Sequence, residues 1–237
     1  MTVPKNYLMA AALSLLLVST CAATPLSVYG STVSESEWTG TRSAPSAGMV
    51  GNGLWDNFSI SWNIVLEAGV YHYEYTFGGL SGKALSHVVF DLSDNCTAGS
   101  QCVYNAAYDL VDIPQLFFGT FGGNPGQPGF PAGASITGVK FDAMPGGVGM
   151  ISFDSLRAPM WGDFYAKDGV AGGGTGIWNY AYNQGLAGHD TYNNASYYIA
   201  VPDTVGSGVP EPGSWLLMVS GGLMLGLGVW RRAGRRS

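Results

Sequence analysis

Basic side chains are scarce in this sequence. Lysine and arginine number 10 among 237 residues against 16 acids, and charged residues of all kinds make up 11% of the chain. Five of the ten cations (Lys5, Arg231, Arg232, Arg235 and Arg236) lie near the two ends, while every acid falls between residues 24 and 212. The segment between the ends therefore holds five cations against sixteen anions, a net charge of −11. A surface of that sign repels phosphate backbones, so no nucleic-acid partner is expected. Cysteine and histidine are also sparse, at 3 residues each, and no paired Cys/His spacing or Asp-x-Asp-x-Asp-Gly run is present. No metal site or other cofactor is expected on that basis. Helical patterning is missing as well: residues 24–208 contain no apolar stripe of period 3.6 bounded by caps. There is no internal repeat, and long apolar runs occur only at the two ends.

The first of these runs reads as a secretory signal. Lys5 opens a short charged region, and residues 7–18 are almost wholly apolar, too short to span a bilayer comfortably. Cys21-Ala22-Ala23 places small residues three and one before a cut after Ala23, so residues 1–23 are expected to be removed and the mature chain to begin at Thr24. The rival reading, acylation of Cys21 in a lipoprotein, is served poorly by Val18-Ser19-Thr20. Removal of Cys21 leaves Cys96 and Cys102 as an even pair in an exported chain. They are expected to form a disulfide closing a small polar loop, with two free thiols as the alternative.

The second run is more specific. Val209, Pro210, Glu211 and Pro212 precede an uncharged apolar stretch over residues 213–230, and Arg231, Arg232, Arg235 and Arg236 follow it. Eighteen residues of helix rise about 27 Å, enough for one crossing of the inner membrane, and the arginines place the far end in the cytoplasm. This order of Pro-Glu-Pro box, span and arginine cluster resembles the PEP-CTERM sorting signal of bacterial surface proteins. The resemblance implies processing by exosortase, a membrane transpeptidase, with the inner membrane as a temporary anchor and the cell surface or extracellular matrix as destination.

The body, residues 24–208, reads as antiparallel β structure. In residues 58–66, Phe58, Ile60, Trp62, Ile64 and Leu66 alternate with Ser59, Ser61 and Asn63; in residues 70–77, Tyr71, Tyr73, Tyr75 and Phe77 alternate with His72, Glu74 and Thr76. Glu67-Ala68-Gly69 between them predicts a hairpin. Further strands are expected over 85–92, 136–142, 147–153, 177–182 and 197–201, with one edge strand within 24–52. The 36 glycines and 12 prolines supply turns, including long Gly/Pro loops at 119–134 and 169–176 and a tether at 203–208. The expected fold is an all-β antiparallel sandwich, a jelly roll being one compatible topology. The hairpin, residues 136–142 and residues 158–169 also resemble a domain that recurs among exosortase-dependent surface proteins and has no activity attached to it.

Residues 161–168 form the densest aromatic and polar cluster. Trp161 and Tyr165, with Trp178 on a later strand, are candidate platforms for stacking sugar rings; the competing reading buries Trp161 and Phe164 in the core, with Asp163 and Asp168 capping turns. His189-Asp190 and the combination of His87 with Cys96 hint at nucleophilic chemistry, but neither comes with a nucleophile elbow or an orienting third group, so no catalytic residue is assigned. The leading expectation is a non-enzymatic surface protein associated with extracellular polysaccharide or biofilm. The alternative is a carbohydrate-binding or carbohydrate-active module. Thiol titration of the exported, denatured chain is expected to find no reactive cysteine, and detection of two would identify Cys96 and Cys102 as free thiols.

Overall fold

The computed structural model describes residues 27–202 except 47, 82–84, 93–94, 110, 114–115, 124–126, 143, 145–148 and 171–176. The expected signal peptide, the 171–176 part of the second glycine loop, the tether, Val209 to Pro212, the span over 213–230 and the arginine cluster lie outside the described residues. Among the described residues no helix is long and apolar enough to cross a membrane.

In chain order the strands are β1 (Thr39–Ser43), β2 (Met49–Asn52), β3 (Ser59–Glu67), β4 (Val70–Gly78), β5 (His87–Asp91), β6 (Tyr104–Tyr108) and β7 (Val111–Asp112), then β8 (Phe117–Gly122), β9 (Ser135–Asp142), β10 (Met150–Ser155), β11 (Pro159–Gly162), β12 (Phe164–Val170), β13 (Trp178–Asn183) and β14 (Ile199–Pro202). They form two six-stranded sheets, ordered β1-β3-β4-β10-β6-β7 and β2-β13-β12-β5-β9-β8, and a two-stranded ribbon of β11 with β14. Every pairing is antiparallel. The all-β antiparallel expectation is met, and the arrangement is sandwich-like.

The hairpin forms where the alternation predicts it, with a tighter turn. Glu67 pairs directly with Val70, which leaves only Ala68 and Gly69 in the loop, at φ 50° and 84°. Two successive residues at positive φ give the twist that a two-residue hairpin needs, so this is not a three-residue connection. The segment before residue 52 contributes two edge strands, β1 on the first sheet and β2 on the second. Residues 119–122, expected as loop, continue β8, and β6, β7, β11 and β12 form where the alternation predicts no strand.

The core lies between the sheets. Ile60, Trp62 and Ile64 of β3, Tyr73, Tyr75 and Phe77 of β4, and Ile151 and Phe153 of β10 are buried on one side. Val88 and Phe90 of β5, Val139 and Phe141 of β9, and Phe164 and Ala166 of β12 are buried on the other. Their rings meet across the gap: Tyr75 and Phe90 stack with centroids 4.3 Å apart, Phe153 and Phe141 at 5.7 Å, and Phe58 and Phe164 at 6.0 Å. Cys96 and Cys102 are joined in a disulfide with Cα atoms 6.0 Å apart.

Gly119 and Gly138 face each other across β8 and β9 but occupy different surroundings. A Cβ on Gly138 would run into the backbone carbonyl of Phe90, whereas one on Gly119 meets nothing within 4 Å. Gly138→Ala should therefore destabilise the fold by about 1–3 kcal/mol, the usual range for overpacking against groups that cannot move aside. Gly119→Ala should stay within about 0.5 kcal/mol of the parent. Chemical denaturation of the two variants checks this, and equal midpoints would contradict the placement of Gly138.

Candidate functional site on the outer face of the second sheet

Strand alternation that sends Phe90, Phe141 and Phe164 into the core sends their neighbours to the opposite face of the second sheet. The register puts Asp142 beside His87, His87 beside Lys167, and Lys167 beside Tyr180. A second row runs from Phe117 through Lys140, Val89 and Tyr165 to Tyr182. Residues from five strands thus share one surface.

Half of this surface is covered. Phe130 sits on Tyr165 with ring centroids 4.5 Å apart, and the Tyr165 hydroxyl donates to the Pro128 carbonyl at 2.7 Å. Gly129 has φ 76°, and a Cβ there would collide with the Tyr180 ring, so only glycine lets the chain cross the sheet at this point. Tyr165, Phe130, Val89, Ile136 and Leu186 form a small second core beneath the crossing. The described part of the Gly/Pro loop therefore packs as a lid on one half of the face.

The other half presents aromatic rings with ammonium groups over them. Trp178 is 38% exposed and Phe117 41%. The Lys167 Nζ lies 5.3 Å from the Trp178 ring centre, and the Lys140 Nζ lies 5.2 Å from Phe117 and 5.9 Å from Phe121. Lys140 also pairs with Asp142 at 2.5 Å. Between the two lysines stands His87, whose side chain is 9% exposed and whose Nδ1 is 3.9 Å from Asp142. Its Nε2 is buried with no hydrogen-bond partner. Burial, reinforced by Lys167 and Lys140 and opposed by Asp142, pushes the His87 pKa down to about 4. Burial also lowers the Lys167 ammonium and raises the Tyr182 phenol.

Three sequence candidates resolve differently. Trp178 is on the open half, while Tyr165 shares its face but is fully buried under Phe130. Trp161 is not a platform at all: it is 4% exposed, edge-on to Trp62 at 6.1 Å, because β11 pairs with β14 at the end of the sandwich. The burial reading of residues 161–164 describes Trp161 and Phe164, but Asp163 caps no turn. It is buried, accepting from Asn183 Nδ2 at 2.6 Å and lying 2.7 Å from His189 Nε2. His189 therefore pairs with Asp163 rather than with Asp190, and it stacks on Tyr29 at 3.7 Å. Tyr29 in turn donates to Asp91, which burial and the Asp163 charge hold well above the usual carboxylate range. This network ties Tyr29, β5, β12, β13 and the 184–198 segment together. Cys96 is bonded to Cys102, so it forms no dyad with His87.

Sequence reasoning missed Lys140, Lys167, His87 and Phe117 as a group. The available signal was phase: in β9, Lys140 and Asp142 alternate with Val139 and Phe141 and so must face away from the core. Among the described residues, no group of three or more His, Cys, Asp or Glu side chains is arranged to hold a metal ion. No family model, curated protein or solved structure matches this chain.

The His87 environment carries a sign that can be measured. Its folded pKa lies below the unfolded value of about 6.5, so between pH 6.5 and about 4 the unfolded state takes up a proton that the folded state refuses. Acidification through that window should remove about 3 kcal/mol of stability through this one group. His87→Leu should lose correspondingly less between pH 7 and pH 4 in denaturation measurements, and parallel pH profiles for the two proteins would refute the assignment.

Proposed function

We propose that this chain is an exported, non-enzymatic surface or matrix protein, delivered by a signal peptide over residues 1–23 and sorted by exosortase through residues 209–237. The displayed body is a β-sandwich over residues 24–208, placed in extracellular polysaccharide or biofilm. The observation that carries the reading is the order of the tail: Val209, Pro210, Glu211 and Pro212, then an uncharged apolar run, then four arginines. Proline at 210 and 212 favours extended backbone at the membrane boundary, the shape a processing enzyme reads most easily, and Glu211 supplies a charge at a defined place. Membrane insertion depends on residues 213–230 alone, so insertion and processing are separable.

A second reading is favoured by the open half of the sheet face. Trp178 with Lys167 above it, near Tyr180 and Tyr182, has the composition of a sugar-stacking platform, which supports a carbohydrate-binding module displayed at the surface. The two readings are compatible, since a matrix protein can hold its place by binding the matrix.

Replacing Glu211 and Pro212 with alanine separates a sorting address from a permanent anchor. The variant is expected to accumulate in the inner membrane with its C-terminus intact, while the parent reaches the surface without the arginine cluster. Peptide mapping of the surface fraction decides the matter; recovery of Arg231 to Ser237 on the surface form of the parent would overturn the sorting reading.

A further inference from the structure

We propose that the free edge of β8 pairs antiparallel with β8 of a second copy of this chain, joining two six-stranded sheets into one across a twofold axis at Gly119.

Edge protection is the first support. Two open sheets have four terminal strands, and each exposes unpaired backbone N–H and C=O groups unless something blunts it. Three are blunted. β7 is two residues long, and β2 is four, with its Gly51 lying against the Trp55 carbonyl. β1 carries Arg42, whose guanidinium donates to the Ala195 carbonyl at 2.8 Å and stands 4.9 Å from the Trp62 ring, so a charge guards that edge. β8 has none of these devices: Phe117–Gly122 is six residues without proline or charge, paired with β9 on one side along its whole length. Among the described residues no other segment makes a backbone–backbone hydrogen bond to it.

The second support is a glycine that the domain itself does not use. Gly119 lies inside β8, its φ is not positive, and a Cβ there would meet nothing within 4 Å. Neither its conformation nor its own surroundings require glycine, and glycine weakens a strand. In a strand interior it marks a place where another backbone comes close.

Charge and register identify the occupant as a second copy. No charged residue occurs from 113 through 139, the longest such run between the two ends of a chain whose body has a net charge of −11. Two copies repel one another over acidic surfaces, but β8 and its flanks bring no acid to the seam. A twofold axis at Gly119 sets Phe117 beside Phe121 of the second copy on the outer face and Phe118 beside its Thr120 on the inner one. Aromatic neighbours across a strand pair are stabilising. On the inner side a cleft of about 540 Å³ runs along β8, lined by Thr97, Ala98, Leu116, Phe118, Thr120 and Thr137. Phe118 of the second copy meets the rim of this cleft at Thr120, and the axis repeats the contact in reverse. One patch thus serves both copies, which closes the assembly at two.

The test is sedimentation of the full-length chain in mild detergent over a concentration series. The parent is expected to be dimeric. Gly119→Lys should weaken self-association by roughly tenfold or more, because two ammonium groups then face each other at the axis, and should leave the far-UV circular dichroism unchanged. Cysteine placement in a chain carrying Cys21→Ala checks the register. Gly119→Cys should cross-link two copies on mild oxidation, since directly opposed Cα atoms lie about 4.5–5.5 Å apart, within disulfide reach. Phe117→Cys should not, because in this register the two copies of that position lie four residues apart along the ladder, about 14 Å. Thr41→Cys, exposed on β1, should not cross-link either. A monomeric parent would overturn the inference, as would a dimer indifferent to Gly119→Lys, which places the contact elsewhere, the apolar run over 213–230 included. Cross-linking at Phe117 or Thr41 as efficient as at Gly119 would overturn it too.

Discussion

The contact between Tyr75 and Phe90 fixes how the two sheets sit on one another. Their rings stack at 4.3 Å across the middle of the core, and the Tyr75 hydroxyl donates to the Ala200 carbonyl at 2.8 Å. One side chain thereby links β4 of the first sheet, β5 of the second and β14 of the ribbon. A buried phenol is tolerated only when its hydroxyl has a partner, and burial raises its pKa so that it remains a donor at any physiological pH. A slip of β4 by one residue would send Tyr73, Tyr75 and Phe77 to solvent and bring His72, Glu74 and Thr76 inside. The register is therefore determined by what the core cannot accept, and the composition of both outer faces follows from it.

The same logic explains where polar groups were allowed inside. Asp91 and Asp163 are both buried, and burial together with the neighbouring Asp163 raises the cost of charging Asp91, an arrangement that persists only with dense hydrogen bonding. Asp163 has Asn183 and His189; Asp91 has Tyr29 and the Asp163 backbone N–H at 3.3 Å. Asn183 also accepts from the Phe164 N–H and donates to the Tyr197 carbonyl. The network joins the junction of β11 and β12 to β5, β13 and the Tyr197 carbonyl.

What could be read from sequence follows from how far a pattern persists along one strand. Residues 58–77 are legible because two nine-residue strands alternate over most of their length, β3 as far as Ile64, and meet at Ala68-Gly69. Residues 159–170 were not, because two short strands in different sheets follow each other with a break at Asp163. Trp161 and Tyr165 belong to opposite sides of that break, so a single surface could not contain both. Trp178 was recoverable because Trp178, Tyr180 and Tyr182 keep one phase through β13. His87, Lys140 and Lys167 come from three separate strands, and only the order of strands in the sheet brings them together. Sheet order is set by packing over the whole domain, and no local pattern encodes it.

The exit of the chain from the body bears on display at a surface. β14 is buried at all four positions and pairs with β11 from Pro159↔Pro202 to Gly162↔Ile199. Tyr75 holds the Ala200 carbonyl, and Arg42 donates to the Ala195 carbonyl at 2.8 Å while its guanidinium stands 4.9 Å from the Trp62 ring. Residues 203 onward therefore continue from a strand locked into the core, not from a frayed edge. A load applied through the tail would have to break the β11 ladder and withdraw buried Ile199 and Val201 together before reaching either large sheet. Under the proposed anchoring, the outer face of the second sheet keeps its geometry while the tail bears tension, because the two share no strand.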